Sequence, residues 1–123
     1  MSLSKKTVGA LGEKLAGQYL QKQGYRIIET NFKCRFGEMD IIAAHKDTLC
    51  FVEVKTRSSD EFGLPEESVT AAKQKRQTRI ARYYLYKKKL PSETPGRFDV
   101  VAIRLTDNKP VIDLIAGAFP FTV

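Results

Sequence analysis

Two short runs near the middle of the chain are typical of paired β-strands: GEMDIIAA at residues 37–44 and LCFVEVK at residues 49–55. Side chains alternate between the two faces of a β-strand, and both runs carry apolar residues on both faces. Each run therefore predicts a largely buried strand. Because only residues 45–48 separate them, we expect a hairpin with a tight turn.

Counting outward from this turn places two acids side by side. Ala44 pairs with Leu49, Ile42 with Phe51, and Asp40 with Glu53. Like charges directly opposite each other destabilise a sheet, and burying unpaired carboxylates costs several kcal/mol. A divalent cation removes the conflict, since two carboxylates, a backbone carbonyl and waters form an oxygen site suited to Mg²⁺ or Mn²⁺.

A lysine completes this predicted site. Lys55 lies two residues beyond Glu53, on the same face of the strand. Acids, a metal ion and a lysine together are suited to attack on a phosphodiester, because they polarise the phosphoryl oxygen and activate water. The alternative is an exposed hairpin in which Lys55 forms ordinary ion pairs with Glu38 and Glu53. That alternative does not explain Ile42, Leu49 and Phe51 on the charged face.

The remaining elements predict a single mixed α/β domain over residues 1–123. The expected order is α-β-β-β-α-β-β. We predict helices over residues 6–23 and from 66 or 68 to 89, with Val69, Ala72, Ile80 and Tyr83 as the apolar stripe of the second. We predict strands at residues 25–30, 38–44, 49–55, 98–103 and 111–115, and a loop at 56–65.

The positive charge is concentrated in one segment. The chain carries a net charge of +7, and Thr70–Leu90 holds eight basic residues and no acid. The rest of the chain has 13 basic and 14 acidic residues. A concentrated basic patch favours a polyanionic partner, most often nucleic acid, although it is also typical of a solvated helix face. The predicted basic face of the second helix includes Lys75, Arg79 and Arg82.

Several functional classes are disfavoured. No apolar stretch approaches the roughly 20 residues that span a bilayer, so no membrane association is expected. Cys34 and Cys50 form no disulfide framework and have no zinc-ligand spacing, which indicates a reducing, cytoplasmic setting. The sequence contains no glycine-rich phosphate-binding loop, so ATP use is not indicated. His45, the only histidine, falls in the turn, and we expect it to be exposed.

A wider set of motifs resembles a known family along nearly the whole chain. Asp40 followed by Glu53-Val54-Lys55 looks like the bipartite motif of PD-(D/E)XK nucleases. The full string is similar to that of the YraN-like family of small bacterial proteins, related to archaeal Holliday junction resolvases. It comprises Gly12-Glu13, Asn31, residues 37–40, residues 51–57, Val69-Thr70 with Lys73, and residues 97–101.

The resemblance implies a restriction-endonuclease-like fold and a Mg²⁺-dependent endonuclease acting on DNA, including branched DNA. It implies that Asp40, Glu53 and the Val54 carbonyl bind the metal and that Lys55 is catalytic. Glu13 matches an acid that resolvases place on the first helix, although an exposed helix glutamate fits the sequence equally well.

The roles of several basic residues stay open. Lys73 could face the site or a phosphate, or be one more solvated lysine. Arg35 and Arg57 could bind phosphate or neutralise the acids. For Arg76 and Asp99 we favour structural roles.

A rival hypothesis keeps the fold without the reaction. The chain would then be a nucleic-acid-binding adaptor that acts within a larger complex. RNA is a weaker alternative to DNA, since the sequence shows no aromatic stacking platform of the kind found in RNA-binding modules. Cutting two strands requires two active sites, which is compatible with a homodimer.

Overall fold

The computed structural model describes residues 4–58 and 70–119. Its element order confirms the predicted α-β-β-β-α-β-β arrangement. Within the described part of the chain, neither helix is long and apolar enough to cross a membrane. The elements are α1 (Lys5–Lys22), β1 (Arg26–Cys34), β2 (Gly37–His45), β3 (Thr48–Ser58), α2 (Ala71–Lys87), β4 (Gly96–Leu105) and β5 (Val111–Phe119).

The five strands form one mixed sheet in the order β1-β2-β3-β4-β5. β3 and β4 are parallel, and the other neighbouring pairs are antiparallel. A parallel pair needs a crossover connection, and α2 lies in that connection. Each face of the sheet has its own apolar core. Ala16 and Leu20 of α1 pack with Ile41, Cys50 and Val52, whereas α2 packs on the opposite face with Ile42, Leu49, Phe51 and Phe98.

The predicted hairpin register is confirmed next to the turn. Ala44 pairs with Leu49 and Ile42 with Phe51, as counted from the sequence, and the pairing continues to Ile41 and Val52. This register places residue 40 of β2 and residue 53 of β3 on the face that α2 covers. The candidate site is therefore defined by the same pairing that builds the core.

Several predicted boundaries are wrong. β1 continues to Cys34 and β5 to Phe119, each four residues beyond the predicted end. β3 continues to Ser58, so residues 56–58 of the predicted loop are strand, held by their parallel pairing with β4. The second helix begins only at Ala71, because Thr70 has extended backbone and caps the helix by accepting a hydrogen bond from the Lys73 N–H at 3.2 Å. Residues 59–69 lie outside the described residues. The helix ends at Lys87, two residues earlier than predicted.

The predicted apolar stripe of α2 is partly wrong. Ile80 is buried, but Ala72 is exposed and Tyr83 is half-buried; Val69 lies outside the described residues. The helix instead turns Ala81, Tyr84 and Leu85 toward the sheet. Tyr83 lies at the edge of the core against Phe36 and Phe32. The predicted basic face is exposed, with Lys75, Arg79 and Arg82 on the surface.

A buried polar network fixes β4 on the α1 side of the sheet. Asp99 is 1% exposed and accepts hydrogen bonds from the Tyr25 hydroxyl at 2.8 Å and from Arg97 Nε at 3.0 Å. The Gly117 N–H, in a bulge where φ is +64°, also donates to Asp99 at 2.9 Å. The expected structural role of Asp99 is thus borne out by its contacts. The exposure predicted for His45 is wrong, because its ring stacks on Tyr25 at 4.4 Å and Nδ1 lies 3.1 Å from Arg97.

The close packing of α1 on β3 at Gly12 generates a prediction. A Cβ atom at Gly12 would come within 2.9 Å of the Thr56 Cβ. We expect Gly12→Ala to force the helix off the strand and to lower the free energy of unfolding by about 1–3 kcal/mol, the usual cost of overpacking.

Gly17→Ala is the matched control on the same helix. Nothing lies within 4 Å of a Cβ at Gly17, so this change should stabilise the helix by about 0.5–1 kcal/mol. Urea denaturation of both variants measures the difference. Equal effects of the two substitutions would show that α1 does not depend on this contact.

Candidate active site

The candidate site forms where β2 and β3 separate. Their pairing ends at Ile41 and Val52, while β3 continues in parallel register with β4 to Ser58. At the point of separation the Asp40 carboxylate accepts a hydrogen bond from the Val54 N–H at 2.8 Å. This hydrogen bond to the backbone of β3 holds the Asp40 side chain between the two strands.

Three carboxylates converge at this position. One oxygen each from Glu13 of α1, and from Glu38 and Asp40 of β2, lie within 4.8 Å of one another. Helix α1 crosses the end of β3 at Gly12, which brings Glu13 to the opening between the strands. The structure thus joins Glu13 to Asp40, as the resemblance implied, and adds Glu38.

Asn31 links two of these acids. Its backbone has φ of +53°, a left-handed conformation that asparagine tolerates better than most residues. With the amide nitrogen oriented toward the acids, Asn31 donates to Glu38 Oε1 at 2.8 Å and to Glu13 Oε1 at 3.2 Å. Sequence reasoning assigned no site role to Asn31 or Glu38. The alternation of Glu38 with Asp40 on one face was the available signal for Glu38.

Glu53 faces the same space from β3 and forms an ion pair with Lys73 of α2. Both side chains are largely buried, with 15% of Glu53 and 18% of Lys73 exposed. The second carboxylate oxygen of Glu53 is buried without a hydrogen-bond partner among residues 4–58 and 70–119. Lys73 lies in the first turn of α2, where the Thr70 cap fixes the start of the helix. The structure therefore places Lys73 beside the acids.

The environment of Asp40 disfavours its charge. Burial raises the pKa of the Asp40 carboxyl to about 6, against the opposing effect of the Val54 hydrogen bond. The negative charges of Glu13, Glu53 and Glu38 raise this pKa further. Four acids from three elements consequently act on one another electrostatically, an arrangement that favours binding of a cation.

Three of these acids, Glu38, Asp40 and Glu53, line a cleft of about 530 Å³. Arg35, Lys73 and Arg76 line the same cleft, and the stem of Arg76 packs beside Gly37. An anionic ligand entering the cleft would meet acids and bases together. The lining residues are Cys34, Arg35, Phe36, Gly37, Glu38, Asp40, Glu53, Lys73, Arg76 and Gln77.

The other predicted site residues are not among those that line the cleft. Lys55 is half-buried two residues along β3 from Glu53, and Arg57 is half-buried opposite Arg104 of β4. The exposed α2 residues predicted to bind nucleic acid continue away from the cleft along the helix; they are Lys75, Arg79 and Arg82.

Comparison with known proteins identifies the family. The model of the uncharacterised protein family UPF0102 matches residues 12–103. The chain belongs to this family. This result confirms the YraN-like resemblance.

The UPF0102 relatives match along almost their whole length. The UPF0102 protein of Caldanaerobacter subterraneus subsp. tengcongensis is 46% identical over 92% of this chain and 92% of its own. The UPF0102 protein of Syntrophus aciditrophicus is 51% identical over 90% of this chain and 87% of its own. That of Lachnoclostridium phytofermentans is 47% identical over 95% and 96%.

A solved structure is similar at a more distant level. It is Pyrococcus furiosus SfsA in complex with Ca²⁺, with a TM-score of 0.40 and 14% sequence identity. The match covers 92% of this chain, which spans 62% of the SfsA chain.

The raised pKa of Asp40 predicts that Asp40→Asn stabilises the metal-free protein in a pH-dependent manner. Above pH about 6 the carboxylate is charged in the folded and in the unfolded protein, but only the folded protein bears the cost of burying the charge. Since the shift is from 3.8 to about 6, the gain at pH 8 should be about 2–3 kcal/mol.

As the pH falls from about 6 to 4 the folded carboxyl becomes protonated, while the unfolded one, with its pKa of 3.8, is still partly charged; most of this gain should therefore disappear. The asparagine oxygen can still accept the Val54 hydrogen bond, which isolates the effect of charge. Urea denaturation in EDTA at pH 8 and at pH 4 measures it. A stability change that is the same at both pH values would contradict this account of the site.

Proposed function

We propose that this protein is a metal-dependent nuclease that hydrolyses phosphodiester bonds in DNA. The observation that carries the proposal is the convergence of Glu13, Glu38 and Asp40 within 4.8 Å, beside a cleft that Glu38, Asp40 and Glu53 line together with Arg35, Lys73 and Arg76. The match of Asp40 and Glu53-Val54-Lys55 to the bipartite nuclease motif supports it. Membership of UPF0102 is consistent with it.

The donor set fits a divalent cation of the Mg²⁺, Mn²⁺ or Ca²⁺ type. Carboxylate oxygens are the ligands these hard cations prefer, and two ligands of one ion lie at most about twice the ion–oxygen distance apart, roughly 4–5 Å. The three converging oxygens meet this limit. The buried oxygen of Glu53, without a partner among the described residues, is a further candidate ligand. Glu13, Glu38, Asp40 and Glu53 would hold the ion.

The basic side chains would position the phosphate. A bound divalent cation supplies polarisation of a phosphoryl oxygen and a water of lowered pKa. Arg35 and Arg76 line the cleft together with the acids and can hold the non-bridging phosphate oxygens. Lys73 and Lys55 are the two lysines that can stabilise charge developing on the phosphate. Asn31 would orient Glu13 and Glu38 through its amide.

The basic segment supports DNA as the substrate. Thr70–Leu90 holds eight basic residues and no acid, and its described side chains begin in the cleft and continue along α2. Such a surface neutralises backbone phosphates without reading bases, so binding should weaken steeply with salt. A cytoplasmic location would give the protein access to DNA.

The proposal predicts metal-dependent cleavage that Glu53→Gln abolishes. Labelled single-stranded, duplex, flapped and four-way DNA would be incubated with Mg²⁺, with Mn²⁺ and with EDTA. We expect products with metal only, and a loss of at least about 100-fold in the variant, because one removed electrostatic contact to the reacting centre costs about that much.

Glu93→Gln is the matched control, since Glu93 is exposed in the turn before β4. It should cut as the wild type does. Binding of DNA without cleavage of any substrate would instead favour the non-catalytic adaptor, and cleavage in EDTA would contradict the proposed metal site.

The ion pair between Lys73 and Glu53 predicts competition with the metal. Lys73→Met removes the ammonium group that neutralises Glu53, so Mn²⁺ should bind about 3- to 10-fold more tightly, in line with an ion pair worth about 1 kcal/mol. Calorimetric titration with Mn²⁺ measures the affinity.

Lys75→Met is the control for net charge, because Lys75 is exposed on the same helix. Equal tightening in both variants would show that overall charge, and not the Lys73 contact, sets the affinity.

A further inference from the structure

The structure assembles an aromatic surface that the sequence did not reveal. Phe36 belongs to the turn between β1 and β2, whereas Tyr83 and Tyr86 lie one turn apart on α2. The ring centroids of Phe36 and Tyr83 are 6.1 Å apart, and those of Tyr83 and Tyr86 are 6.5 Å apart. Tyr86 is 80% exposed, the highest exposure among the exposed large hydrophobic residues that the structure describes. We call these three residues the aromatic track.

The aromatic track is continuous with the candidate active site. Phe36, Arg35 and Arg76 line the acidic cleft and also a second depression of about 430 Å³. Phe36 and Arg79 extend from that depression into a third one of about 320 Å³, which Tyr83 and Tyr86 line. Along α2, the distance from Lys73 in the cleft to Tyr86 is roughly 20 Å at the helical rise per residue.

Arginines accompany the rings along this path. The Arg35 guanidinium lies 4.8 Å from the centroid of the Phe36 ring. Arg79 and Arg82 line the same depression as Tyr83 and Tyr86. The path therefore offers flat rings for stacking and guanidinium groups for phosphates, alternating along one direction. Paired bases in a duplex keep their faces stacked on each other, so rings of this kind serve bases that are unpaired.

We propose that the aromatic track binds an unpaired strand of nucleic acid that leads into the active site. The inference rests on the proposed function and narrows it: the preferred substrate has a single-stranded branch or tail beside the bond that is cut. The charge of the path matches the phosphate backbone, and the exposed Tyr86 ring offers a stacking surface to any base, with the half-buried Phe36 and Tyr83 rings beside it. Recognition is consequently by strandedness and not by sequence.

Binding measured without cleavage tests this inference separately from catalysis. Fluorescence anisotropy in EDTA would use labelled single-stranded DNA, single-stranded RNA of the same sequence, blunt duplex, and duplex with a single-stranded tail. We expect Tyr86→Ala to weaken binding of single strands and tailed duplex by about fivefold or more, since stacking on one ring contributes at least that factor. Binding of blunt duplex should stay the same.

Two substitutions serve as controls. Tyr86→Phe keeps the ring and should bind as the wild type does. Tyr19→Ala removes a tyrosine from α1, the helix on the other face of the sheet, and should have no effect. Phe36→Ala provides a second, independent test of the track and should reproduce the selective loss.

The outcomes distinguish the two proposals. Selective loss in Tyr86→Ala supports the track whether or not the protein cuts. If no substrate is cut as well, the track is supported and the nuclease is contradicted. Tighter binding of RNA than of DNA supports the track and contradicts DNA as the substrate. Three results would overturn the track. Wild type and Tyr86→Ala could bind single strands with equal affinity, Tyr86→Ala could lose as much affinity for blunt duplex as for single strands, or the protein could bind no nucleic acid.

Discussion

Mutual repulsion among four carboxylates at the separation of β2 and β3 is the constraint on which the rest of this structure depends. Glu13, Glu38 and Asp40 converge there, and Glu53 adds to the field that raises the pKa of Asp40. A sheet built only for stability would place apolar or opposite charges at these positions. The neighbouring contacts instead compensate the acids: a backbone N–H for Asp40, an amide for Glu13 and Glu38, and an ammonium for Glu53.

The rest of the fold holds these acids in place. The parallel pairing of β3 with β4 keeps β3 extended to Ser58 after β2 has diverged from it, and the buried Asp99 network fixes β4 from the opposite face. The crossover helix α2 brings Lys73 over Glu53, and α1 brings Glu13 to the opening through the close approach at Gly12. Three separate elements thus supply one site, which explains why their packing is tight where the acids meet.

The sequence predicted the structure best where side-chain alternation and turn length determine the strand pairing. The runs at residues 37–44 and 49–55 correctly predicted the hairpin register beside the turn, but the pairing ends at Ile41 and Val52 and does not reach the predicted pair of Asp40 with Glu53. The order of elements was also predicted correctly. The predictions failed where contacts between distant parts of the chain determine the local structure. Pairing with β4 extends β3 beyond Lys55, stacking on Tyr25 covers His45, and the rotation of α2 is set by the sheet. The site could be predicted for Asp40 and Glu53, but the left-handed backbone of Asn31 and the ion pair of Lys73 depend on the folded arrangement.

The proposed divalent-cation site at the gathered carboxylates can be examined in solution. Paramagnetic broadening by Mn²⁺ in ¹H–¹⁵N spectra tests it most directly, because broadening falls steeply with distance from the ion. With Mn²⁺ well below one equivalent, the account predicts loss of the amide signals of Glu13, Asp40 and Val54, while that of Asn108 in the turn before β5 persists. Uniform broadening, or selective broadening at another part of the chain, would contradict the site described here.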